Sequence, residues 1–227
     1  MECPFADISR LPQRVEASGC PFHAHVVPAE MKVVDAVHLN VTGWHGEHKT
    51  SEQQAAVLAD IGGGDRIREF LTRFYAHAFV DNHIKDFFYQ DDGTAAHAKR
   101  LGDWIIQKMG GEGTPWTDSG RWGLRQKTHQ DAWRNEKRDP SVRGRRFKLD
   151  DCRIWMRLNF WAARECGLFE HEPFWTWYVE FIEHFMAFYE YKAPRYCRED
   201  AAWSADPSNL AQYAADGNLM KDVIGKW

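Results

Sequence analysis

The residue pattern predicts an all-α fold. Three observations carry that prediction: apolar residues recur at helical spacing in several separate stretches, glycine or proline punctuates their ends, and hydroxyl or acidic side chains stand where helix N-termini need caps.

Thr50-Ser51-Glu52 predicts a short helix running to about Asp60, with Ser or Thr as its N-cap. Ile61-Gly62-Gly63-Gly64 then breaks the chain. Asp65 is expected to cap a second helix ending near Val80, whose one face carries Ile67, Phe70, Leu71, Phe74, Tyr75 and Ala78. A turn of helix from Asp81-Asn82-His83 leads into the aromatic run Phe87-Phe88-Tyr89 and the polar corner Asp91-Asp92-Gly93. From Thr94 onward, His97, Leu101, Trp104, Ile105 and Lys108 share one face of a helix that Gly110-Gly111 stops.

Gly113, Pro115 and Gly120 mark an irregular link, and residues 124–133 read as a short helix bearing His129. Residues 135–146 form a polar loop, in which the Arg143-Gly144-Arg145-Arg146 cluster reads as solvated. Asp150-Asp151 are expected to cap the next helix, with Ile154, Trp155, Leu158, Trp161 and Ala162 as its apolar stripe up to Gly167. Pro173 opens a last long helix that turns Phe174, Trp177, Tyr178, Phe181, Phe185 and Phe188 inward. Beyond Pro194 the pattern fades, and a weakly structured tail with one short helix around 209–215 is expected.

The N-terminal segment reads differently. Cys3-Pro4-Phe5 recurs as Cys20-Pro21-Phe22, followed by His23 and His25, and Pro12 and Pro28 break any long helix. Cys-Pro pairs can bind haem regulatorily, and a cysteine with two histidines could hold a metal; a loosely packed arm is the plainer reading. Residues 31–41 partly alternate apolar and polar side chains, which suggests a short strand. His38, His45 and His48 read as surface residues. The expected organisation is an N-terminal extension over 1–49, a globular domain over 50–191 and a C-terminal extension over 192–227.

Composition limits the function classes. Of the 227 residues 44% are hydrophobic and 14% aromatic, enough to build a core and line a pocket. Lys and Arg number 29 against 33 Asp and Glu, so no overall cationic field recruits nucleic acid or a membrane surface. With no signal-like N-terminus and no apolar run of membrane-spanning length, a cytoplasmic location is expected. The five cysteines lack a C-x-x-C pair and read as reduced thiols.

The chemistry concentrates around His129. A five-coordinate haem iron needs one neutral imidazole on a rigid element, and His129 is the only histidine between the His97 helix and the Trp155 helix. Tyr75, His97 and Trp155 carry a hydroxyl, an imidazole and an indole N–H suited to a bound diatomic ligand, although tyrosine and tryptophan at helical spacing are more often packing residues.

In their order, these pieces resemble a family. Ile61-Gly62-Gly63, Arg73-Phe74-Tyr75-Ala76, His97-x-x-x-Leu101-x-x-Trp104-Ile105, Met109-Gly110-Gly111, Leu124-Arg125-x-Lys127-x-His129 and Trp155-Met156-Arg157 look like a truncated haemoglobin, most like group II. The resemblance spans about residues 61–191. It implies a two-over-two helical globin fold, with helices B, E, G and H around one haem b. His129 would be the proximal iron ligand, Tyr75 the distal helix-B tyrosine, Phe88 the aromatic clamp, and His97 the residue over the sixth coordination position. Leu101, Trp104 and Ile105 would line the distal wall, Trp155 would be the helix-G tryptophan, and Arg125 and Lys127 would pair with the haem propionates. The sequence departs from the family in the segment after Gly111, in Thr128, and in a longer loop over 130–150.

The function this implies is reversible binding of O2, and of NO and CO, in oxygen storage or transport, with Tyr75, His97 and Trp155 donating to the ligand. Two rivals stand beside it. One is a haem enzyme for NO dioxygenation or peroxidase chemistry, fed by an external reductase; the other is a sensor whose terminal extensions are its output.

Overall fold

In the computed structural model the described residues are 37–39, 50–111 and 113–226. The repeated Cys-Pro-Phe segments, His23, His25, His45 and His48 lie outside them. So does most of the suggested strand; residues 37–39 have no regular structure, and His38 is exposed and pairs with Glu180 at 2.8 Å.

Nine α-helices, and no strand, occur among the described residues, so the all-α prediction holds. They are α1 (Glu52–Asp60), α2 (Gly63–Ala78), α3 (Gly93–Met109), α4 (Pro115–Asp118), α5 (Arg125–Trp133), α6 (Leu149–Glu165), α7 (Glu172–Met186), α8 (Cys197–Trp203) and α9 (Pro207–Ala215). No helix among the described residues is long and apolar enough to cross a membrane.

The helices start where side chains satisfy their free N–H groups. The Ser51 hydroxyl accepts from Gln54 N–H at 3.2 Å, and Asp206 caps α9 by accepting from Ser208 N–H. Two expected caps differ. Asp65 stands inside the first turn of α2, exposed and paired with Arg68; the chain enters the helix at Gly62, whose φ of 101° favours glycine. At α6 the N-cap is Lys148, and the Asp151 carboxylate reaches back to accept its N–H at 2.7 Å, while Asp150 lies between them in the first turn. The link around Pro115 also gains order, as the one-turn helix α4.

The core lies where α2, α3, α6 and α7 meet. Phe70, Phe74, Phe160, Phe174 and Phe181 are fully buried, each stabilising the fold by roughly 1.5–3 kcal/mol. Phe70 meets Tyr178 edge-on at 5.4 Å, and the Tyr178 hydroxyl donates to Asn159, which ties α7 to α6. Gly111 ends the α3 turn so tightly that an added Cβ would lie 2.5 Å from Ile106 Cγ2 and 2.7 Å from Leu58 Cδ2.

The tail is folded, contrary to the expectation of weak structure. It forms α8 and α9 and buries Tyr213, Met220 and Val223. Its anchors are mostly polar, which is why no apolar stripe announced it. The fully buried Asp200 accepts from Arg153 and Arg157 of α6, and the Tyr213 hydroxyl donates to Asp81 at 3.1 Å. Cys152, Cys166 and Cys197 are free and buried.

Candidate functional site

α2, α3, α5, α6 and α7 surround a cavity of about 210 Å3, and the sequence explains how each presents its side chain. In α2, Phe74 packs inward against Trp155 at 5.1 Å, edge-on, which leaves its neighbour Tyr75 facing the cavity. The residues after α2 fold back so that Phe79 and Phe88 stack at 4.8 Å. In α3 the four-residue spacing brings His97, Leu101 and Ile105 to the same wall, with Trp104 beside them against Phe181 and Phe185. The walls are mainly aromatic and aliphatic, which suits a flat apolar guest.

His129 sits in α5 with its Nδ1 2.6 Å from the Arg125 carbonyl oxygen. A carbonyl only accepts, so Nδ1 carries the proton and the Nε2 lone pair is left free. Burial pushes the imidazole down to about 4, which keeps it neutral at physiological pH. Tyr189 at 4.4 Å and Phe147 at 5.9 Å hold the ring from two sides.

Among the donors that line the cavity, the Tyr75 hydroxyl and the Trp155 indole N–H have no hydrogen-bond partner among the described residues. Burial raises the Tyr75 phenol well above its usual range, so it stays a donor. His97 differs from the expectation. Its Nδ1 lies 3.0 Å from the Gly93 carbonyl and 3.1 Å from Asp92 Oδ1, both acceptors. That nitrogen therefore bears the proton, and burial lowers the pKa. In its neutral form His97 offers a lone pair at Nε2, not an N–H.

Of the ten residues singled out from the sequence, nine line this cavity: Tyr75, Phe88, His97, Leu101, Trp104, Ile105, Arg125, His129 and Trp155. Lys127 does not. It is exposed on the far side of α5, paired with Asp131 at 2.6 Å. Arg125 reaches the cavity through an aromatic box, 5.2 Å from Phe185, 5.3 Å from Phe188 and 5.4 Å from Trp104, and donates to the Tyr189 hydroxyl at 3.2 Å.

Phe147, Tyr189, Trp116 and Arg121 also line the cavity and were not singled out. The first two follow or precede regular helices, where no periodicity marks an inward side chain. Arg121 forms no ion pair among the described residues, so a second guanidinium without a carboxylate partner, besides that of Arg125, lines the cavity.

The donor set fits a haem. One side chain offers a neutral imidazole lone pair for iron, two others offer unpartnered donors, the walls are apolar, and two cations at the wall can meet carboxylates. A second cluster, His83 with Asp150 and Asp151, brings one ligand atom from each within 4.8 Å. Its contacts are internal: Asp150 accepts from Gly225 N–H at 3.1 Å, and Asp151 accepts from Lys148 N–H. Comparison with known proteins finds no matching family model, no matching curated protein and no matching solved structure.

Proposed function

We propose that the chain is a haem protein of the truncated-globin type that binds O2 reversibly, and NO and CO at the same place. In this reading α2, α3, α6 and α7 are the two-over-two helices B, E, G and H, α5 carries the proximal ligand, and the cofactor is haem b. The observation that carries it is the free Nε2 of a neutral His129 sharing one apolar cavity with the unpartnered donors of Tyr75 and Trp155.

Bound haem would supply an iron centre that coordinates diatomic gases. The chain's own residues do the rest. His129 holds its proton at Nδ1 against the Arg125 carbonyl, which fixes the tautomer and ring direction. Tyr75 and Trp155 offer an O–H and an N–H to the gas ligand between walls that are mainly apolar. Arg125 and Arg121 are the cations that can meet the haem carboxylates; Lys127 is turned away from the cavity. His97 contributes an acceptor, so ligand stabilisation falls to two donors where the sequence suggested three.

The test is an absorption spectrum of the purified full chain in its ferric, ferrous and CO-bound forms, repeated on His129→Ala. A haem spectrum that loses its five-coordinate ferrous signature in the variant is expected. A chain that takes up no haem, or a variant indistinguishable from wild type, refutes the reading.

A further inference from the structure

The chain is acidic overall, yet its charge is unevenly placed. Between residues 121 and 148 there are ten Lys or Arg and only three Asp or Glu, in a protein of net charge −4. This segment holds α5 and the loop that follows it. It supplies Arg121, Arg125, Thr128, His129, Ala132 and Phe147 to the cavity, so the basic surface borders the candidate haem site.

Six arginines in it form no ion pair among the described residues: Arg121, Arg125, Arg134, Arg143, Arg145 and Arg146. The structure draws them toward one region. The Gly144 N–H donates to the Trp133 carbonyl at 2.7 Å, which fastens the arginine loop to the end of α5. Arg146 lies over the Trp133 ring at 5.3 Å and donates to the Phe188 carbonyl, and Arg125 stands over the Phe188 ring. Trp122 and Leu124 belong to the same segment and are 65% and 40% exposed.

We infer that the exposed part of this arginine-rich face, Arg134, Arg143, Arg145 and Arg146 with Trp122 and Leu124, docks an acidic protein that delivers single electrons to the cavity; the electron-delivery part rests on the haem reading above. Guanidinium forks without a carboxylate partner of their own are suited to the carboxylates of another surface. Exposed tryptophan among arginines is the composition of a protein interface anchor. A long polyanion fits less well, because the remainder of the chain is acidic and would repel whatever extended past the patch. In the transfer itself, a flavin hydroquinone of the partner loses one electron to become the semiquinone, and ferric iron gains that electron to become ferrous.

The experiment uses the full chain and an acidic FMN-loaded flavodoxin as the probe. Binding of the oxidised probe is measured by calorimetry at about 20 mM and about 300 mM salt, and reduction by the hydroquinone form by anaerobic stopped flow. Arg134 and Arg145 are exposed and their guanidiniums make no hydrogen bond or ion pair among the described residues, so Arg134→Glu/Arg145→Glu perturbs charge without disturbing the fold. Arg195→Glu/Arg198→Glu, on the tail, is the control. Expected are at least roughly tenfold weaker binding and slower reduction in the first variant and at the higher salt, with little change in the control.

Equal binding in wild type and the first variant overturns the docking face. Equally tight binding of a single-stranded oligonucleotide or an anionic vesicle, lost in the same variant, overturns the choice of a protein partner. Flavodoxin binding that survives in a chain without haem absorbance removes the haem reading and leaves the face standing. Haem absorbance with reduction rates indifferent to charge reversal does the opposite.

Discussion

Replacing Asp200 by Asn is expected to loosen the C-terminal helices from α6. Asp200 is fully buried and accepts from Arg157 Nε at 2.8 Å and from Arg153 at 2.7 and 3.1 Å. Burial pushes its carboxyl pKa up even though both guanidiniums pull it down, which is the mark of an ion pair whose desolvation offsets much of its attraction. Breaking such a pair is a different matter from forming it, because Arg157, itself 3% exposed, would keep its charge without its buried partner. Losses of about 3–5 kcal/mol are usual in that case. Here the lower end applies, since Arg157 retains Asp222 at 2.6 Å and Arg153 retains Glu199, both partners largely exposed. About 3 kcal/mol corresponds to a fall in Tm of about 6–12 °C for a chain of this size. Calorimetry would read the shift, and limited proteolysis would show cleavage within α8 or α9 at lower temperature. A loss under about 1 kcal/mol with an unchanged cleavage pattern would refute the claim that this ion network holds the tail.

Three further outcomes are expected. In the haem-free protein, His129 has a folded pKa of about 4, below its unfolded value of about 6.5, so its contribution is complete above the higher value and is lost as pH falls between the two. Denaturation should show wild type losing on the order of 3 kcal/mol over that window relative to His129→Phe, and parallel pH profiles would contradict it. On the proposed haem reading, Tyr75→Phe and Trp155→Phe should each speed O2 release by roughly tenfold or more, the worth of one hydrogen bond to a charge-bearing ligand; stopped-flow rates matching wild type would deny both donors their role. Gly111→Ala should destabilise by about 1–3 kcal/mol in a chemical melt, because the new methyl would press on Ile106 and Leu58 where the helix turns; an unchanged midpoint would show that the corner can give way.

The helices that build the core were legible in the sequence because their stripes are regular: α2, α3, α6 and α7 each repeat large apolar residues at three and four positions. α8 was not legible, since Asp200, its buried centre, is an acid whose partners lie more than forty residues away. The cavity residues on helices were readable for the same reason as the core. Tyr189 and Phe147 were not, because each sits where the backbone is irregular and direction follows only from the folded chain. Lys127 shows the limit from the other side: two residues before His129 on one helix means a turn of about 200°, so the side chain that shares its segment cannot share its face. Which nitrogen of His97 bears its proton was likewise beyond the sequence, as it depends on the position of Asp92 and the Gly93 carbonyl.

The tail's grip on the corner after α2 extends past stability. Asn82 N–H donates to the Asn218 carbonyl at 3.0 Å, its side-chain amide donates to the Gly217 carbonyl at 2.7 Å, and Tyr213 reaches Asp81. That same corner runs directly into Phe87 and Phe88, which form part of the cavity wall. Trimming the chain after residue 212, or fusing a bulky partner there, would therefore be felt at a cavity the removed residues never touch, and on the proposed haem reading as altered gas-binding kinetics.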